Sequence, residues 1–280
     1  MRGDILPTIL PTGHVVTRDG VALFRRELGE GPPVVFLASW SLPSASWGPQ
    51  MFALASSGFR CLAYDRRGHG RSADPGSGYD YDTLADDLAE LLAAHGIEGA
   101  TLVTFSGAAG EAVRYLTRHG RGRIARLAMI GPTTPLLERR AENPDGLDSA
   151  MLEALRGEIA RDFPAWLAAN ARPFGGPGAS QPMLDCVCDM AMEASLPALL
   201  GFHRALCETD FTAELRALRL PVLVIQGECD ATCPLELTGR RTAALVPGAR
   251  LLVYPGAPHG LPVSDADRLA ADLIGFARDG

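Results

Sequence analysis

The sequence predicts an α/β protein with a mostly parallel sheet, helices on both faces and a helical insertion late in the chain. Three observations predict it. From Pro33 to Pro132, short apolar runs of β-favouring residues alternate with stretches whose apolar residues recur at helical spacing, and the connections are short. From Thr133 to about Leu218 no strand pattern occurs and only helical spacing is left. At Pro221 the strand-then-helix order resumes and runs to the end. The expected boundaries are a core of residues 1–132 and 219–280 and a cap of residues 133–218. The 280 residues, 47% hydrophobic and 21% charged, suit one such unit with an insertion, or two small domains.

The elements follow in order. His14–Thr17 and Leu23–Leu28 flank Asp19-Gly20, a hairpin signature. Pro33–Ser39 is a continuous apolar strand, as in the buried middle of a parallel sheet. A loop from Trp40 to Trp47 leads to a helix, Gln50–Ser57, stopped by Gly58. Cys61–Tyr64 is a strand ending at Asp65-Arg-Arg-Gly-His-Gly70, where Asp65 is expected to pair with Arg66 or Arg67. Tyr81–His95 is a helix stopped by Gly96; the strand Ala100–Phe105, a helix to His119 and the strand Ile124–Ile130 follow.

In the insertion, Met151–Ala169 and Met183–Leu206 read as helices that Pro164 and Pro197 must bend or split. Phe163, Trp166, Phe174, Met183, Met190, Met192 and Phe202 either line a pocket or form the insertion's own core. The last third gives a strand Pro221–Gln226, a helix from Pro234 to about Val246, a strand Arg250–Tyr254 and a final helix, Ser264–Ala277. Ser264 and Asp267 are spaced there as a capping box.

A net charge of −7 argues against nucleic acid as a partner. No run approaches the ~20 apolar residues of a membrane helix. Met1–Pro11, broken by Pro7, is too short for a secretory signal, so a cytoplasmic protein is the default expectation. Cys186-x-Cys188 and Cys229-x3-Cys233 have no histidine at ligand spacing; small buried hydrophobes are the expected role, with no metal and no cofactor. A small-molecule substrate is the expected partner, and homo-oligomerisation is left open.

The chemistry centres on Ala100–Gly110. A buried strand breaks at Ser106 into a helix, and Gly107, Ala108, Ala109 and Gly110 are all small. A nucleophile elbow demands this pattern, because the serine's backbone is strained and its neighbours are crowded. An ordinary junction with a capping serine is the alternative at this point. Asp230 and His259 also follow strand ends, and ligands of such sheets bind beyond those ends. A serine needs a base of near-neutral pKa, and that base needs a carboxylate to fix its tautomer. His259, in a compact Gly/Pro turn, is the candidate base, with His69 as a weaker rival. Asp230 is preferred to Glu228, which is better placed to brace the loop through backbone N–H groups. The oxyanion donors expected are the backbone N–H groups of Gly107 and Trp40, with Ser39 or Ser41 as fallbacks. The side chains of Trp40 and Phe105 are expected as floor and wall of the substrate pocket, and Trp166, Phe174 and Met190 as further candidates.

Tyr64–Ser72, Tyr79–Leu88, Glu208–Thr212 and Pro234–Pro262 make the sequence resemble the α/β-hydrolase superfamily. Within it, the likeness is to the cofactor-free bacterial haloperoxidase/perhydrolase and arylesterase group, over roughly Gly13 to Phe276. The resemblance implies the α/β-hydrolase fold and a Ser106, Asp230, His259 triad with the backbone of Trp40 and Gly107 as oxyanion hole. It also implies serine esterase activity, in some members extended to peracid formation. Two segments depart from the pattern. The family's His-Gly before the oxyanion tryptophan is Ala38-Ser39, and its Gly-x-Ser-x-Gly is Thr104-Phe-Ser106-Gly-Ala108. Ser41 also stands where proline is frequent. The leading expectation is a serine hydrolase acting on an ester, lactone or thioester. Perhydrolysis or another non-hydrolytic reaction, and a non-catalytic binding protein on the same fold, are the alternatives.

Overall fold

The computed structural model describes residues 8–9 and 13–279. The N-terminal stretch tested for a secretory signal therefore lies, apart from Thr8 and Ile9, outside the described residues. Among the described residues, nine strands form one sheet: β1 (Thr8–Ile9), β2 (His14–Val16), β3 (Ala22–Leu28), β4 (Pro33–Leu37), β5 (Arg60–Tyr64), β6 (Ala100–Phe105), β7 (Ile124–Ile130), β8 (Val222–Gly227) and β9 (Arg250–Tyr254). Their order is β1-β2-β3-β5-β4-β6-β7-β8-β9. The pairings of β1 with β2, β2 with β3 and β3 with β5 are antiparallel; from β5 to β9 every pairing is parallel. The carboxyl ends of β4 to β9 therefore share one rim.

Alternation along the strands decides which helices they meet. Val35, Leu37, Leu62 and Tyr64 pack with Leu84, Leu88 and Val113 of α2 (Tyr81–Ala94) and α3 (Ala108–His119). Val34, Phe36, Cys61 and Ala63 face the other way, onto Leu54 of α1 (Gly48–Ser56) and, from the end of the chain, Leu269 and Leu273. Burial on both faces is what makes the central strands read as unbroken apolar runs.

Between β7 and β8 the chain forms α4 (Ser149–Gly175), α5 (Gln181–Ala191), α6 (Leu196–Glu208) and α7 (Thr212–Ala217). Both prolines act as expected. Asp162 is non-helical (φ −156°, ψ 76°) and its carboxylate caps Ala165 N at 3.0 Å, so α4 restarts there with Pro164 in its first turn. The Met183–Leu206 pattern is two helices, because Ser195 caps Ala198 N and Pro197 falls in the first turn of α6. The last third holds α8 (Gly239–Leu245), α9 (Leu261–Ser264) and α10 (Ala266–Arg278).

Several expectations are corrected. Ser264 is no cap: it ends α9 and bonds Asp265, and α10 starts two residues later. The helix after Pro234 begins only at Gly239. Cys186 and Cys229 are exposed rather than buried. No described helix is long and apolar enough to cross a membrane.

Helix α3 fits so closely that a Cβ on Gly110 would fall 2.5 Å from Tyr81 Cζ and 2.6 Å from Phe211 Cε2. We expect Gly110→Ala to cost about 1–3 kcal/mol through overpacking. Gly157→Ala, on an exposed face of α4 with nothing within 4 Å, should gain about 0.5–1 kcal/mol. Urea midpoints of the two variants against wild type check both signs.

Candidate active site

Ser106 follows β6 directly and has φ 57°, in the left-handed region. Its N–H continues the β6–β7 ladder by donating to Ile130 O at 2.8 Å, and its carbonyl accepts from Ala109 N at 3.0 Å. The turn is held from above. Tyr81 Oη donates to Gly107 O at 2.7 Å, and a Cβ on Gly107 would meet Leu206 and Phe202 of α6 at 3.2 and 3.3 Å. Thr104, one of the departures from the elbow pattern, is fully buried, and its hydroxyl donates to Ala128 O at 3.4 Å. The branched side chain is thus satisfied by the neighbouring strand.

His259 follows β9, and its Nδ1 donates to Asp230 Oδ2 at 2.8 Å. Asp230 follows β8 and is fixed from several sides: Oδ1 accepts from Thr232 N (3.0 Å) and Cys233 N (2.7 Å), and Oδ2 also accepts from Gln226 Nε2 at 3.1 Å. Glu228 instead accepts from Gly256 N at 2.9 Å, bracing the loop that carries His259. Gly131 (φ 48°) makes room for the imidazole, since a Cβ there would stand 3.1 Å from His259 Cε1. His259 Nε2 is buried and has no hydrogen-bond partner among the described residues.

Ser106 and His259 both line one cavity of about 370 Å3 between the sheet's rim and helices α4 to α6, a size that suits a small ligand. The β4–β6 register pairs Leu37 with Thr104, so the loop carrying Trp40 and the turn carrying Gly107 leave adjacent strands at the same rim. Among the described residues, neither backbone N–H is paired. Ser41 (φ 66°) turns the loop sharply just after Trp40.

Of the expected pocket residues, Trp40, Trp166 and Phe174 line the cavity. Phe105 and Met190 do not. Phe105 is on the face of β6 that packs against Trp47 and lies beneath the His259 ring, with centroids 5.0 Å apart. Met190 packs into the apolar cluster of that same face. The Trp40 indole donates to Leu199 O at 2.8 Å and stands edge-on to Trp166 and Phe163, tying the loop after β4 to helices α4 and α6.

The Arg66 and Arg67 pairing differs from expectation. Arg66 and the Tyr64 hydroxyl both bond Glu111, one turn into α3, and all three are buried. Arg66 also reaches Ser39 O at 3.3 Å. Arg67 grips Asp87 with two nitrogens, at 2.6 and 2.7 Å, and Asp19 at 3.0 Å. Asp65 accepts from backbone N–H groups of Ser44 (2.6 Å) and Arg71 (2.9 Å). His69 is absent from the cavity wall; its Nδ1 meets Arg67 O at 3.0 Å. Sequence reasoning also missed Gln226, Gly131, His203 and Cys233, although the position of Gln226 at the end of β8 was visible.

The family model of the alpha/beta hydrolase family matches residues 34–272. The chain belongs to the α/β-hydrolase family. It is 36% identical to a non-heme chloroperoxidase of Kitasatospora aureofaciens, over 93% of this chain and 97% of that one. It is 35% identical to a bifunctional esterase/perhydrolase of Acinetobacter calcoaceticus, over 95% and 99%. The bromoperoxidase from Bacillus anthracis superposes with a TM-score of 0.89 at 33% identity, covering 93% of this chain and 96% of that one. The α/β-hydrolase fold and the haloperoxidase/esterase group are thereby shown for this chain.

Two outcomes test the packing around this α/β-hydrolase site. Arg66→Leu leaves the Glu111 carboxylate buried without its cation and should cost about 3–5 kcal/mol in urea unfolding, part of it regained in Arg66→Leu/Glu111→Leu. Burial, followed by the Arg66 charge, pushes the His69 pKa down to about 4. The unfolded chain then binds the proton first as pH falls, so the stability His69 contributes is intact above about pH 6.5 and lost toward pH 4. Wild type should therefore lose stability relative to His69→Asn across that window, as measured by urea unfolding at a series of pH values.

Proposed function

We propose that this α/β-hydrolase is a serine hydrolase that cleaves an ester, lactone or thioester of a small apolar or aromatic substrate. The observation that carries the proposal is the state of His259. One ring nitrogen is committed to a fixed carboxylate, and the other is buried, unpaired and in the wall of the cavity that Ser106 also lines. An imidazole so held keeps its basic nitrogen for a substrate-side proton.

In the proposed reaction the Ser106 hydroxyl attacks the substrate carbonyl as His259 Nε2 takes its proton. Asp230 keeps the other proton on Nδ1 and stabilises the imidazolium. The carbonyl oxygen, now negative, is received by the N–H groups of Gly107 and Trp40. His259 returns the proton to the leaving alcohol, and water then cleaves the acyl-enzyme by the same steps in reverse order. The substrate is a small molecule and no cofactor is needed.

Perhydrolysis is a second outcome of the same acyl-enzyme: hydrogen peroxide in place of water releases a peracid. The perhydrolase and chloroperoxidase names of the relatives favour it. Ester turnover with and without peroxide, followed by halide oxidation, separates the two.

A fluorophosphonate should label Ser106, and the adduct should vanish in Ser106→Ala. Ser106→Ala and His259→Ala should each lower kcat on p-nitrophenyl esters by about 10^4-fold or more. Unlabelled protein, or a His259→Ala enzyme of wild-type rate, would rule out the serine-hydrolase proposal.

A further inference from the structure

Helix α6 crosses the elbow with one strip, Phe202 and Leu206, set against Gly107. One residue on from each, at i and i+4, His203 and Cys207 line the cavity. His203 is only 7% exposed, and its ring stands edge-on to Trp40 with centroids 5.6 Å apart. Among the described residues its one hydrogen-bonding neighbour is the Cys207 thiol, 3.8 Å from Nδ1 and 3.8 Å from Nε2. Equal distances put the sulfur near the plane that bisects the two nitrogens, off the axis of either. A hydrogen bond so misaligned is weak.

Arg156 acts on the ring from outside the cavity wall, and its Nη1 is buried without a hydrogen-bond partner among the described residues. Arg156 bonds Glu153 at 2.7 Å and Glu208 at 3.0 Å. Burial and then the Arg156 charge push the imidazole pKa down to about 4, so near pH 7 the ring is neutral, with one N–H donor and one lone pair. Both are poorly used in a wall that is otherwise largely apolar, and a buried polar group without a good partner costs free energy until something bound supplies one.

We propose that His203 is a specificity-determining residue that selects substrates bearing a hydroxyl on their apolar part: hydroxylated aryl or alkyl esters and lactones. A hydroxyl donates and accepts, so it fits either tautomer of a neutral imidazole. A ketone can use only the N–H. A carboxylate would enter a wall in which no lysine or arginine stands among the described lining residues. The proposal rests on the ester-hydrolase function above and adds a substrate class to it.

The test compares matched substrates and matched ligands. Values of kcat/KM are measured for methyl 3- and 4-hydroxyphenylacetate against methyl phenylacetate, and for the hydroxyphenyl acetates against phenyl acetate. In wild type at least one hydroxylated ester should be preferred about tenfold, the worth of one well-made hydrogen bond. That ratio should fall to about one in His203→Phe and survive in part in His203→Gln; His203→Val supplies the same comparison should the Phe variant not fold. A second arm needs no turnover: calorimetric titration of Ser106→Ala with phenol and with toluene, repeated with the His203 substitution added. Phenol should bind more tightly than toluene only while His203 is present. A His203-dependent preference in either arm supports the proposal. Its absence from both overturns the proposal and leaves the imidazole satisfied by water. Failure to hydrolyse any ester would overturn the hydrolase function alone, since the binding arm still decides the role of His203.

Discussion

The left-handed backbone of Ser106 is the constraint on which the rest of the site depends. A non-glycine residue there costs about 1–2 kcal/mol and persists only where its surroundings over-determine it. The surroundings come from four elements. β7 accepts the Ser106 N–H, Tyr81 of α2 holds the Gly107 carbonyl, α6 presses on Gly107, and Phe211 stands against Gly110. Ser41, the other non-glycine residue with positive φ among the described residues, lies on the loop after the adjacent strand. Both strained turns thus line the same cavity, and among the described residues the N–H groups of Trp40 and Gly107 beside them have no hydrogen-bond partner.

Buried charge supplies the second tier of this support. An ion pair as deep as Arg66–Glu111 is a weak source of stability, because desolvation offsets the attraction. Its geometry suggests what it contributes instead. Glu111 is on the helix that begins at the elbow, Arg66 and Tyr64 belong to the end of β5, and Arg66 also holds the Ser39 carbonyl on the loop leading to Trp40. One group of side chains therefore fixes three segments relative to one another. Ala38-Ser39 is one of the two segments at which the sequence departs from the pattern of the resembled family. Arg66 reaches that stretch through the backbone, which does not depend on the residue type.

Most of the sheet was legible because parallel strands buried on both faces leave a distinctive trace, and the breaks in the helices of the insertion were legible because Pro164 and Pro197 act locally; the cap Ser195 went unread. Asp230 and His259 could be named because each follows a strand whose end belongs to the common rim. The pocket walls were harder. Phe105 was expected there as the neighbour of the nucleophile, but alternation along β6 puts it with Val103 on the α1 and α10 face. The partners of Arg66 and Arg67 were out of reach for a different reason. Glu111 lies 45 residues beyond Arg66 and Asp87 lies 20 beyond Arg67, so their meeting depends on how α2 and α3 dock. An acidic neighbour in sequence, Asp65, was the natural guess, yet its carboxylate is spent on loop N–H groups.

Helix α6 joins the two halves of the molecule in a way that separates their demands. Phe202 and Leu206 press on Gly107 beside the strained Ser106, and Leu206 also reaches the cavity. The His203 and Cys207 strip faces the cavity, where a change alters what the wall offers a ligand. The carbonyl of Leu199, a turn earlier, accepts from the Trp40 indole and so ties the loop after β4 to α6. His203 and Cys207 can therefore vary while Phe202, absent from the cavity wall, keeps its packing against Gly107. Such a division lets the wall that meets a ligand change without disturbing the residue that packs on the turn at Ser106.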